Sequence, residues 1–108
     1  MQPRTLAQTI KKATTTFPAV VITGPRQSGK TTLLENLFTP QYHYLNLENL
    51  DIRQRAIEDP VGFLRQFQPP LIIDEIQYVP QLLSYIKTAI DKDRRPGNWL
   101  ITGSQNFT

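Results

Sequence analysis

A chain of 108 residues, 39% of them hydrophobic, is long enough for one small domain with its own buried core. It contains no cysteine, which excludes a disulfide framework and thiolate metal sites and suits a reducing, cytoplasmic setting. The formal net charge of +3 is too mild to argue for a nucleic-acid surface, no apolar run reaches the length of a membrane span, and the N-terminus lacks a signal-peptide layout.

In chain order, Pro3 can open a helix, and Leu6, Ile10, Ala13 and Phe17 recur at roughly helical spacing, which predicts a helix over 3–15. Pro18 ends it, and the apolar run 19–22 predicts a first strand. Next comes Gly24-Pro25-Arg26-Gln27-Ser28-Gly29-Lys30-Thr31, which fits the phosphate-binding pattern G-x-x-x-x-G-K-[ST]. A helix-like run follows, with Leu33, Leu34, Leu37 and Phe38 as its apolar face and Pro40 beyond its end. Strand, glycine loop and helix together aim backbone N–H groups and a helix N-terminus at one anion. Gly24 and Gly29 permit the close backbone approach, Lys30 carries a positive charge to the β- and γ-phosphates, and the Thr31 hydroxyl can ligate Mg²⁺. Pro25, Arg26, Gln27, Ser28 and Thr32 complete the expected nucleotide-binding stretch. The competing reading, a glycine turn with a solvated lysine, leaves the flanking strand and helix unexplained.

The alternating, aromatic-rich run 42–47 predicts a second strand. Residues 49–68 read as mainly helical with a break at Asp59-Pro60, where Asp can cap and Pro can take a first-turn position. Pro69-Pro70 block helix continuation, and Leu71-Ile72-Ile73-Asp74-Glu75 reads as a short buried strand ending in two acids. In open α/β sheets ligands sit at the carboxyl ends of the strands, so the acids and the glycine loop are expected at the same end. Asp74 is then the candidate for Mg²⁺, through water, and Glu75 for orienting or polarising an attacking water. Two solvated acids at a strand end are the alternative. Leu82, Leu83, Ile86, Ala89 and Ile90 predict a helix over 80–91, residues 91–98 a polar turn, and 99–102 a last strand. His43 and Trp99 read as packing or surface residues, Arg53 and Arg55 as part of a solvated helix face, and Arg94 and Arg95 as partners of neighbouring aspartates.

The glycine loop, then Leu-Ile-Ile-Asp-Glu-Ile-Gln at 71–77, then Trp-Leu-Ile-Thr-Gly-Ser-Gln at 99–105 resemble the AAA+ class of P-loop ATPases. Within it, the chain is most similar to a prokaryotic group that pairs an N-terminal ATPase with a C-terminal domain of unsettled function. The resemblance implies an α/β P-loop NTPase fold, a three-layer sandwich whose parallel sheet runs in the order 1-4-3-2. It also implies ATP with Mg²⁺ as ligand, Ser104 as the sensor-1 residue with Thr102 and Gln105 as neighbours able to take that role, and Arg4 near the adenine. ATP over GTP rests on this resemblance, since the loop grips phosphates and is blind to the base.

The same resemblance makes residues 1–108 a partial nucleotide-binding domain, truncated before a fifth strand, an arginine finger and a helical lid. The first strand is then a bare edge, and a second copy or a further segment is expected to cover it. Two functions stay open, and a third is disfavoured. One is an ATPase module with Glu75, Lys30 and Ser104 as catalytic residues, completed by a partner or further segments. Another is a non-catalytic nucleotide-binding remnant acting through interaction. The last, a P-loop kinase, is disfavoured because Glu75 invites an attacking water.

Overall fold

The computed structural model describes residues 3–24, 34, 36, 38 and 41–104, with side chains from Ala7 onward. Its elements are α1 (Pro3–Thr14), β1 (Ala19–Thr23), β2 (His43–Asn46), α2 (Leu50–Glu58), α3 (Pro60–Gln66), β3 (Leu71–Asp74), a 3₁₀ turn (Ile76–Tyr78), α4 (Leu82–Lys92) and β4 (Trp99–Gly103). Leu34, Asn36 and Phe38 are helical as well.

Local chemistry explains where these elements begin and end. Asn49 caps α2, its side-chain oxygen accepting from the backbone N–H groups of Asp51 (2.9 Å) and Ile52 (3.2 Å). Asp59 closes α2 and opens α3, accepting from the Gly62 N–H at 3.0 Å while Pro60 takes the first-turn position. The predicted break between two helices is therefore where the sequence puts it. A cis Pro69-Pro70 peptide leads into β3.

All four strands are parallel, in the order β1-β4-β3-β2, as an α/β P-loop NTPase sheet requires. β3 and β4 are the central strands and are buried along their whole length. Such strands carry continuous apolar runs because helices cover both faces. Registered pairs share a face, so the sheet separates its side chains cleanly. Leu45, Leu71, Ile73, Trp99 and Ile101 pack with Ala56, Phe63, Leu82 and Ile86 of the helices α2, α3 and α4. Ile72 and Leu100 point to the opposite face and pack with Ile10 of α1 and with Leu34 and Phe38. The result is a three-layer sandwich.

Three sequence expectations shift. Phe17 does not join the apolar face of the first helix, because α1 stops at Thr14 and Phe17 lies beyond it, 57% exposed. The helix expected over 80–91 starts at Leu82, since the 3₁₀ turn and Pro80 occupy the preceding stretch. Arg53 is not a solvated charge: its Nε donates to the Leu47 carbonyl at 3.0 Å, its Nη2 to the Glu48 carbonyl at 3.1 Å, and its guanidinium lies 4.2 Å from the Tyr78 ring centre. The leucines 33 and 37 and the side chain of Leu6 lie outside the described residues.

At the amino end of the sheet, Gly97 joins three parts of the chain. Its φ of +79° is open to glycine, its N–H donates to the Phe17 carbonyl at 2.9 Å, and its carbonyl accepts from the Tyr42 hydroxyl at 2.6 Å. Burial pushes the Tyr42 hydroxyl above its ordinary range, which keeps it a donor. A Cβ at position 97 would meet the Thr14 carbonyl oxygen at 2.7 Å and the Tyr42 hydroxyl at 3.0 Å. Gly97→Ala is expected to destabilise the fold by more than about 1 kcal/mol and lower the thermal midpoint by about 5 °C or more. A circular-dichroism melt identical to that of the unsubstituted protein would contradict this.

Candidate nucleotide site

The alternation that sorts the core also sorts the polar groups at the carboxyl end of the sheet. Asp74 follows Ile72 by two residues on β3, and Thr102 follows Leu100 by two on β4. Both therefore face the layer that holds α1 and the helical positions 34, 36 and 38, and both are fully buried. Tyr44 pairs in register with Ile72 and points to the same side from β2.

Two hydroxyls donate to the Asp74 carboxylate. Thr102 donates to its Oδ1 and Tyr44 donates to its Oδ2. Thr102 Oγ1 also accepts from the Glu75 backbone N–H at 3.1 Å. One hydroxyl thus uses its donor on the first acid and an acceptor site on the second.

Glu75 sits where β3 ends, in the left-handed region at φ 63° and ψ 52°. For a residue with a Cβ this conformation costs about 1 kcal/mol or more, and it persists where surrounding contacts determine it. Here those contacts are the Thr102 bond on one side and the 3₁₀ turn on the other, whose Tyr78 N–H donates to the Glu75 carbonyl at 3.2 Å. The reversal carries the chain off the sheet and leaves Glu75 only 6% exposed.

Gln77 closes the arrangement. Its Nε2 donates to Glu75 Oε1 at 2.8 Å and to Ser104 Oγ at 3.1 Å, while its Oε1 accepts from the Ser104 N–H at 3.1 Å. Ser104 directly follows β4. Gly24, which opens the glycine loop after β1, donates its N–H to the Gly103 carbonyl at 3.3 Å. The first residue of the loop is therefore stitched to the strand end that carries Thr102 and Ser104.

Among the sequence-predicted site residues, the structure brings Gly24, Asp74, Glu75 and Ser104 to one end of the sheet, with Thr102 between them. Pro25, Arg26, Gln27, Ser28, Gly29, Lys30, Thr31, Thr32 and Gln105 lie outside the described residues, as does the side chain of Arg4. Tyr44 and Gln77 were not singled out from the sequence as site residues. Gln77 stands in the quoted motif after the acids, but nothing in its spacing shows that the chain reverses and returns its amide to Glu75. Arg94 and Arg95 are turned to other work, pairing with Asp91 at 3.4 Å and Asp93 at 2.6 Å in the exposed turn after α4. Hydrogen bonding from Arg95 holds the Asp93 carboxyl below its ordinary range.

The model of an AAA domain family matches residues 16–108. The chain belongs to the AAA domain family. This AAA domain is an ATPase-type nucleotide-binding module, and its sheet order agrees with that assignment. It is 32% identical over 106 residues to Rv2008c of Mycobacterium tuberculosis and, equally, to Mb2031c of Mycobacterium bovis, both described as uncharacterized proteins. Each match covers 96% of this chain and 24% of the relative, so the chain spans about a quarter of the length of these curated relatives. Among solved structures, PCH-2 of C. elegans aligns with 18% identity and a TM-score of 0.46, over 96% of this chain and 36% of that one. Among the described residues of the AAA domain, no helix is long and apolar enough to cross a membrane.

The double use of the Thr102 hydroxyl makes its removal costly. Thr102→Val keeps the shape but leaves a buried carboxylate oxygen and a buried N–H without this partner. It is expected to destabilise the domain by about 2 kcal/mol or more. A urea-unfolding midpoint unchanged from that of the unsubstituted protein would show that the hydroxyl does not hold the two acids together.

Proposed function

We propose that this AAA domain binds ATP with Mg²⁺ at the carboxyl end of its sheet and hydrolyses it, with Glu75 activating the attacking water. The observation that carries this reading is the Thr102 hydroxyl tying Asp74 and Glu75 into one buried pair beside the strand end to which Gly24 is bonded. Two acids merely finishing a core strand would turn outward to solvent. These are drawn inward, and one is held in a backbone conformation that costs energy.

The residues divide the work by their chemistry. Residues 24–32 cradle the phosphates, with Lys30 countering charge on the β- and γ-phosphates. The Thr31 hydroxyl and the Asp74 carboxylate are the proposed protein ligands of Mg²⁺, Asp74 acting through water. Mg²⁺ takes few protein ligands and keeps several waters, and the Thr102 and Tyr44 hydroxyls hold the Asp74 carboxylate in place for such an ion. When bound, the metal would neutralise charge on the phosphate oxygens. Glu75 accepts a hydrogen bond from the water whose oxygen attacks the γ-phosphorus as the bond to the departing ADP oxygen breaks. Ser104 reads the γ-phosphate. An arginine from a neighbouring copy or a further segment would add transition-state charge, a contribution worth about 10³–10⁵ in rate among P-loop NTPases.

Glu75→Gln keeps the size and the acceptor for Gln77 but removes the carboxylate. It is expected to lower phosphate release by about 100-fold or more while ATP affinity stays within about three-fold. Lys30→Ala is expected to weaken ATP binding by about 100-fold or more. Phosphate release unaffected by Glu75→Gln would favour the non-catalytic reading. Affinity retained in Lys30→Ala would remove the phosphate-loop assignment itself.

A further inference from the structure

The geometry points to Gln77 as a positioning residue that couples Ser104 to Glu75, so that the group reading the terminal phosphate also sets the carboxylate that orients water. This inference rests on the ATPase reading above. A primary amide offers two N–H donors and one carbonyl, and Gln77 uses all three on these two residues: 2.8 Å to Glu75 Oε1, 3.1 Å to Ser104 Oγ and 3.1 Å from the Ser104 N–H. The partners fix which way the amide faces. Turned over, its carbonyl would meet the Glu75 carboxylate and its NH₂ would meet the Ser104 N–H, so two bonds would become repulsions.

The donor directions carry the coupling. Ser104 Oγ accepts from Gln77, which directs the serine proton elsewhere. A hydroxyl that already accepts a hydrogen bond is also a better donor. That proton is suited to an oxygen of the terminal phosphate of a nucleoside triphosphate, a group a diphosphate lacks. On the other side of the amide, Glu75 Oε1 is engaged by Gln77, which fixes the carboxylate plane and leaves Oε2 to face a water. Phosphate, serine, amide and carboxylate then form one chain of hydrogen bonds, partly screened from solvent because Glu75 is buried and Gln77 and Ser104 are half-buried.

Backbone conformation makes this possible. Residues two apart do not face each other in a helix. The left-handed turn at Glu75 and the short 3₁₀ turn after it bring the side chain of Gln77 back against Glu75. The bond to Ser104, 27 residues away, then spans from the end of β3 to the end of β4. A glutamine that merely stapled the loop would need only the Ser104 pair of bonds, and the third, to the carboxylate, would have no purpose.

The test compares the intact protein with its Gln77→Met, Ser104→Ala and doubly substituted forms. The measurements are calorimetric affinities for ATP and for ADP, single-turnover phosphate release and thermal midpoints. Gln77→Met keeps the length and loses the hydrogen bonds. We expect ADP affinity to stay within about two-fold, ATP affinity to weaken by about 3- to 10-fold, and phosphate release to slow by about 10- to 100-fold. Ser104→Ala should weaken ATP selectively to a similar degree, and the double form should be no worse than the more impaired single one, as for two parts of one unit. Equal weakening of ATP and ADP with a lowered midpoint would make Gln77 a structural staple and overturn the inference. So would additive effects, or a Gln77→Met protein that keeps the original preference and rate. If the unsubstituted protein binds ATP without turnover, the selective loss of ATP over ADP still decides. If it binds no nucleotide, the ATPase reading fails first and this inference falls with it.

Discussion

A hydroxyl on a central strand can give one hydrogen bond and receive another at a single atom, within the width of one strand pairing. Thr102 gives to Asp74 and receives from the Glu75 N–H, and both bonds lie in the interior. The arrangement depends on the register of β3 against β4, in which Ile73 stands opposite Ile101. A slip of one residue would turn Asp74 to the other face and put an apolar side chain where the hydroxyl must be. The apolar residues of the two central strands, which bury fully on both faces, therefore do more than stabilise the domain: they hold the one pairing in which the acids meet their donor.

The two faces of the sheet divide the tasks of packing and chemistry. Leu71, Ile73, Trp99 and Ile101 anchor the sheet to α2, α3 and α4 in one hydrophobic cluster. The other face ends, at the carboxyl edge, in Tyr44, Asp74 and Thr102, on the side of α1 and Leu34. A polar group buried there is affordable because its partners are built in. Glu75 departs from the sheet at this point, and the energy of its left-handed backbone is offset by the Thr102 bond, the 3₁₀ turn and the Gln77 clamp. Tyr42 and Gly97 perform a separate service at the amino end, where they fasten β2 and the turn before β4 to the chain around α1.

Much of this was legible in the residues. Leu71-Ile72-Ile73 announced a strand buried on both sides, Asp59-Pro60 a break between helices, and Asp74 with Glu75 a pair of acids at a strand end. The strand order followed from resemblance, because no local pattern in β1 or β4 tells the chain that they pair. What stayed hidden shares a physical cause. Tyr44 looked like one more aromatic in a strand, Gln77 like the tail of a motif, and Arg53 like a surface charge. Each owes its role to partners the sequence does not set beside it: Tyr44 to Asp74 across the sheet, Gln77 to Ser104 across two strand ends, Arg53 to a carbonyl after β2 and to Tyr78. Such contacts follow from register and from one unusual backbone turn, neither of which propensity or periodicity encodes. Phe17 shows the opposite failure: helical spacing ran on past Thr14, and the helix did not.

The central claim is that the paired acids beneath Thr102 serve a bound nucleotide. It is tested most directly by titrating the protein with ATP in the calorimeter, with and without Mg²⁺, while following phosphate release in the same sample. The account predicts saturable binding that is tighter with Mg²⁺ than without it, accompanied by phosphate release. No heat of binding under either condition would contradict it, and binding indifferent to Mg²⁺ with no phosphate released would leave Asp74 and Glu75 without the roles assigned to them.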